Sequence, residues 1–100
     1  MKEFNQRAHA RVSYPTADRP SLVFDIESYD VVDISKYGLK VFTDNDLAFL
    51  KNDSVIALIV FLDGREFNLT GHVVRLGHNY AGLQLDTPLP LDVIEAEAMH

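Results

Sequence analysis

The chain of 100 residues contains no cysteine, so disulfides, thiol catalysis and thiolate metal sites are excluded. Long apolar runs are absent too. The longest, Val55 to Leu62, covers eight residues, far short of the roughly 20 that a membrane-spanning helix needs. No apolar h-region follows Lys2, so the N-terminus does not read as a signal peptide. A cytoplasmic protein with no membrane insertion is expected. Positive charge is scarce, with nine Lys and Arg against 15 Asp and Glu, for a net charge of −6. The imbalance is local. Residues 1–20 hold Lys2, Arg7, Arg11 and Arg19 against Glu3 and Asp18, a balance of +2, which leaves −8 on the other eighty. Affinity for DNA or RNA comes mostly from neutralising many phosphates, so an acidic body argues against both. A small anion held by a few arginines is compatible with this distribution.

What is present is the composition of a soluble globular domain, 47% apolar and 24% charged. At this length one domain with a modest core is expected. Residues 1–20 have no apolar period and contain Pro15 and Pro20, which predicts a flexible N-terminal arm. Residues 21–100 are then the folded domain. Ser21 to Glu27 alternates, with Leu22, Phe24 and Ile26 on one face, and reads as a strand. Tyr29 to Ser35 and Leu39 to Thr43 form a hairpin interrupted at Gly38. Between Asn45 and Asp53 the insert Leu47-Ala48-Phe49-Leu50 is expected to close one end of the core. Val55 to Leu62 is a strand apolar on both faces, which predicts cover on both. Asp63-Gly64 is a hairpin signal, Phe67 to Leu76 is the return strand, and Tyr80 to Leu85 follows the turn at Gly77-His78-Asn79. Gly71 inside the return strand predicts a bulge or a barrel corner. After Pro88 and Pro90, Leu91 to Met99 is a short helix. Five or six short strands and one late helix predict an all-β fold, a small antiparallel barrel. No internal repeat or low-complexity tract is present.

Two groups of residues carry chemistry. Asp33 and Ser35 point the same way on an ideal strand, roughly 7 Å apart. Together they can accept hydrogen bonds from a flat, donor-rich edge such as the N1–H and N2–H₂ of guanine. Gly38, three residues on, permits positive φ and close backbone approach. The same residues also suit a plain hairpin whose Asp and Ser bond the turn backbone. Arg7 and Arg11 stand four apart. Two guanidinium forks suit bidentate capture of phosphate oxygens or of guanine O6 and N7, whereas an isolated pair also suits a solvated basic tail. Asp30 and Asp33 are three apart, which puts them on opposite faces of a regular strand. His9, His72, His78 and His100 have no metal-ligand spacing. With no nucleophile motif or phosphate loop, neither an enzyme nor a metal site is expected.

Arg7-x-x-x-Arg11 ahead of the first strand, Asp33-x-Ser35-x-x-Gly38 across the next, and the stretches Gly71-His72-Val73-Val74-Arg75 and Tyr80-Ala81-Gly82-Leu83-Gln84-Leu85 resemble the PilZ domain family. The likeness covers nearly the whole chain in order. It implies a six-stranded barrel that binds the bacterial second messenger cyclic di-GMP, and no other cofactor. Arg7 and Arg11 would grip phosphate and the guanine Hoogsteen edge. Asp33 and Ser35 would hold the donor edge, and Gly38 would keep the turn tight. The residue before the first arginine varies within that family, and a further arginine there goes with two stacked ligands. Here it is Gln6, a modulator of stoichiometry. The resemblance also implies a downstream protein partner in motility, pilus or exopolysaccharide machinery. The alternative is a PilZ-like interaction module that does not bind the nucleotide.

Overall fold

The computed structural model describes residues 11–44 and 49–99. Among the described residues there are seven strands, β1 Val12–Ser13, β2 Ser21–Phe24, β3 Glu27–Ile34, β4 Gly38–Phe42, β5 Ser54–Val60, β6 Glu66–Gly77 and β7 Tyr80–Leu85. Among the same residues a helix, α1, spans Leu91–Ala98. All pairings are antiparallel. β3, β2, β5, β6, β7 and β4 follow one another around a ring that the β4–β3 pairing closes, so six strands form the barrel. β1 is an additional strand laid on β3, with Val12 opposite Ile34 and Ser13 opposite Asp33. Closure leaves the ring without the unpaired strand edges of an open sheet.

Alternation along each strand places one row of side chains inside. Leu22, Tyr29, Val31, Leu39, Val41, Val55, Ala57, Ile59, Leu69, Val73, Ala81 and Leu83 are all buried and form one core with Phe49 and Phe61. Each valine, leucine, isoleucine and phenylalanine among them contributes about 1.5–3 kcal/mol on burial. Phe49 closes the core as expected, stacking on Phe24 at 5.1 Å and meeting the edge of Tyr29 at 5.0 Å. Leu47 and Ala48 lie outside the described residues. α1 is too short to be stable alone. It is held by Val93, buried in the core, and by Glu97 one turn later on the same face.

Several expectations change. Ser21 to Glu27 is not one strand. β2 ends at Phe24, Asp25-Ile26 form a two-residue turn, and Phe24 pairs with Glu27. Asp25 adopts φ 61°, a left-handed conformation that aspartate tolerates. Ile26, apparently in phase with the core, is therefore 88% exposed. β5 is fully covered on one face and only in part on the other, where Leu58 and Val60 are half-buried. Val55, Ala57 and Ile59 are inside, while Ile56 and Leu62 are exposed. Part of the segment expected as an arm is built into the fold: besides β1, Thr16–Asp18 form a 3-10 turn and Pro20 is buried.

Candidate ligand site

Strand alternation alone would send Asp33 into the core beside Tyr29 and Val31. A β-bulge prevents this. Val31 pairs with Val41, yet Asp33 pairs with Lys40, so Val32 is an extra residue on β3. The added residue reverses the phase of the strand. Ile34 and Leu39 then turn inward and are buried, and Asp33 and Lys40 turn outward. The same phase change overturns the expectation that Asp30 and Asp33 sit on opposite faces. Both face out, but Asp30 is engaged elsewhere, 3.9 Å from Arg19.

Asp33 faces out and is nonetheless buried, because β1 brings Arg11 over it. Arg11 Nη1 donates to Asp33 Oδ1 at 2.6 Å. The two side chains differ in access, with 56% exposure for Arg11 and 11% for Asp33. With the guanidinium mostly in water, the pair is worth little to folding.

Ser35 and Gly38 complete the cluster. Ser35 lies just past β3 and its N–H donates to the Gly38 carbonyl at 2.9 Å, which tightens the turn. Its hydroxyl stands 3.5 Å from the same oxygen, a weak contact that leaves Oγ available to a ligand. Gly38 is not required for its φ, since Gly64 is the only described glycine with a positive one. Its role is space. A Cβ there would lie 3.3 Å from Ser35 Oγ, 3.4 Å from the Leu83 carbonyl and 4.0 Å from Arg11 Nη2. The fold thus brings Arg11, Asp33, Ser35 and Gly38 to one place. Arg7 and Gln6 lie outside the described residues.

Beside this cluster is a cavity of about 280 Å³ lined by Arg11, Asp33, Lys40, Arg75, Tyr80 and Gly82. It is slightly below the roughly 300–1,000 Å³ that buries a whole small ligand, so it can take one part of a larger one. Lys40, Arg75, Tyr80 and Gly82 were not expected in the site from sequence. Regular alternation assigns Arg75 the face of Val73, which is buried.

A larger cavity, about 660 Å³, lies between β1, the β5–β6 turn and the end of α1. Of its polar lining residues, Tyr14, Asp63 and Glu97 are tied into one network with Arg65. Tyr14 Oη donates to Glu97 Oε1 at 2.6 Å, Arg65 Nη2 donates to Glu97 Oε2, and Arg65 Nε donates to Asp63 Oδ2 at 2.7 Å. Burial first, then the hydrogen bond and negative charge of Glu97, push the Tyr14 phenol well above the usual range, with Arg65 opposing. For Arg65, desolvation pulls downward, but Asp63 and Glu97 outweigh it and hold the guanidinium more firmly protonated. This network fastens α1 to β1. Arg11 lines both cavities, but Asp33 lines only the smaller one.

The sequence profile of the PilZ domain matches residues 5–97. The chain belongs to the PilZ domain family. That family is one of cyclic di-GMP-binding receptor and adaptor domains, not of enzymes. A search of curated proteins found no match to the chain. Within this PilZ domain the four described motif residues are the ones that the bulged β3, the β3–β4 turn and the added β1 gather together. No described helix is long and apolar enough to cross a membrane.

Proposed function

We propose that this PilZ domain is a cyclic di-GMP receptor whose site comprises Arg7, Arg11, Asp33, Ser35 and Gly38. The observation that carries the proposal is the convergence of Arg11, Asp33, Ser35 and Gly38 on one outer face. The Asp33 carboxylate is mostly withdrawn from water and has a cation as its partner. A guanine donor edge can replace that partner, with N1–H and N2–H₂ donating to Asp33 and Ser35 Oγ. Arg11, already half in solvent, is then free to take a phosphate oxygen or the O6 and N7 of guanine. The exchange leaves neither charge buried and unpaired, which is what makes it accessible energetically.

Arg7 supplies the second guanidinium, and Gln6 in place of an arginine bears on whether one or two ligands are held. Closure of the segment carrying Gln6 and Arg7 over the bound ligand is the signal to a downstream protein partner. Titration calorimetry with cyclic di-GMP, cyclic di-AMP and GTP tests the reading. Adenine has an acceptor at N1 where guanine has a donor, so strong preference for cyclic di-GMP is expected. Equal affinity for the two cyclic dinucleotides would refute the guanine-edge assignment. Absence of binding would leave an interaction module that does not bind the nucleotide.

A further inference from the structure

The outer face of the barrel carries one row of paired residues across four strands. Asp33 on β3 is opposite Lys40 on β4, Lys40 is opposite Gly82 on β7, and Gly82 is opposite Arg75 on β6. Three interstrand steps make this row roughly 14 Å long. Arg75 reaches it by the same device that turns Asp33 outward. Val73 pairs with Leu83 and Arg75 with Gly82, so Val74 is an extra residue and the phase of β6 reverses. Two separate bulges, at Val32 and Val74, therefore aim two charged side chains onto one rung. Bulges re-aim side chains and recur beside functional sites.

The bland account is that the second bulge merely keeps a solvated arginine out of the core. Four observations favour a site. Lys40 and Arg75 line the same cavity as Arg11 and Asp33. Among the described residues neither has an anionic partner, although acidic residues outnumber basic ones by 15 to nine. Lys40 Nζ instead stands over the Tyr80 ring, 4.5 Å from its centre, which fixes the ammonium beside the cavity. Between the two cations Gly82 presents bare backbone, and a Cβ there would project to 3.4 Å from that of Arg75.

We propose that Lys40 and Arg75 form a second anion clamp, which takes a phosphate of the dinucleotide while its guanine edge is held at Asp33. Gly82 is the open floor between them. This rests on the cyclic di-GMP reading and deepens it. Calorimetry on the full chain with cyclic di-GMP tests it in Lys40→Gln, Arg75→Gln and the double variant. Each single change is expected to weaken binding about 10–100-fold, the scale of a charge-assisted hydrogen bond. Arg75→Lys should restore part of the loss, because a phosphate accepts from either cation. The affinity of the double variant should also depend less on salt than that of the wild type, since the screened contacts are gone. Arg75 is exposed and Lys40 half-buried, and unchanged denaturation midpoints would show that folding is intact. A double variant that binds as tightly as wild type overturns the clamp and leaves the cyclic di-GMP reading standing. A wild-type protein that does not bind the dinucleotide overturns both.

Discussion

Replacing Asp33 by asparagine separates the two roles that this side chain could have. In the free protein its carboxylate accepts from Arg11 at 2.6 Å, with one partner largely withdrawn from water and the other half in it. Removing one member of a fully buried ion pair costs about 3–5 kcal/mol. That scale does not apply here. The Arg11 guanidinium can rehydrate, and asparagine keeps an acceptor oxygen in place. The stability loss should therefore stay within about 1 kcal/mol, the range of a largely exposed pair. For a domain of this size that is at most about 4–8 °C in Tm. Ligand binding should respond differently. The donor edge of guanine loses its charged acceptor and meets an amide that presents its own N–H₂, so about 1.5–3 kcal/mol is lost. That corresponds to about 10–150-fold in Kd. Calorimetry with cyclic di-GMP and a urea titration on one preparation of Asp33→Asn measure both. A fall in Tm well beyond that range with affinity within a factor of about two of wild type would make Asp33 a structural residue and refute the reasoning.

Arg7→Ala should weaken cyclic di-GMP binding by about 1.5–3 kcal/mol while the urea midpoint stays unchanged. Hydrogen exchange should show protection rising at residues 6–12 and 33–38 on adding ligand, with 55–62 unaffected. Gly71→Ala should destabilise the barrel by about 1–3 kcal/mol or more, because its Cβ would fall 2.3 Å from the Gln84 carbonyl and 3.2 Å from Leu85 Cα, both backbone. Urea denaturation reads that directly. The Tyr14 phenol is raised in the folded state above its ordinary value of 10.0. The stability this provides is fully present below that value and is lost as pH rises through and above it. Urea midpoints measured from about pH 9 to about pH 11 should fall more steeply for wild type than for Tyr14→Phe, and equal slopes would refute the upward shift that burial and Glu97 impose on Tyr14.

Local chemistry was enough for much of this protein. The period-two alternation of Leu39 to Phe42, the Asp63-Gly64 turn, and the prolines ahead of Leu91 each act on their own neighbours, so the strands, the turn and the helix are legible in the chain. The spaced residues Arg11, Asp33, Ser35 and Gly38 could be picked out too, but through the likeness of their order to the PilZ pattern, because by chemical type they also suit a plain hairpin and a solvated tail. Which way Asp33 and Arg75 point was not legible. Alternation assigns both to the core, and only pairing with β4 and β7, distant in sequence, inserts Val32 and Val74 as extra residues that turn them out. The Asp25-Ile26 turn was hidden for a related reason, since Ile26 keeps the apolar phase of β2 although the chain has already reversed. Bulges and turns of this kind are decided by how two strands register, and register is a property of the closed barrel. The same closure sets Lys40, Gly82 and Arg75 in line with Asp33, a relation among residues that no single strand contains.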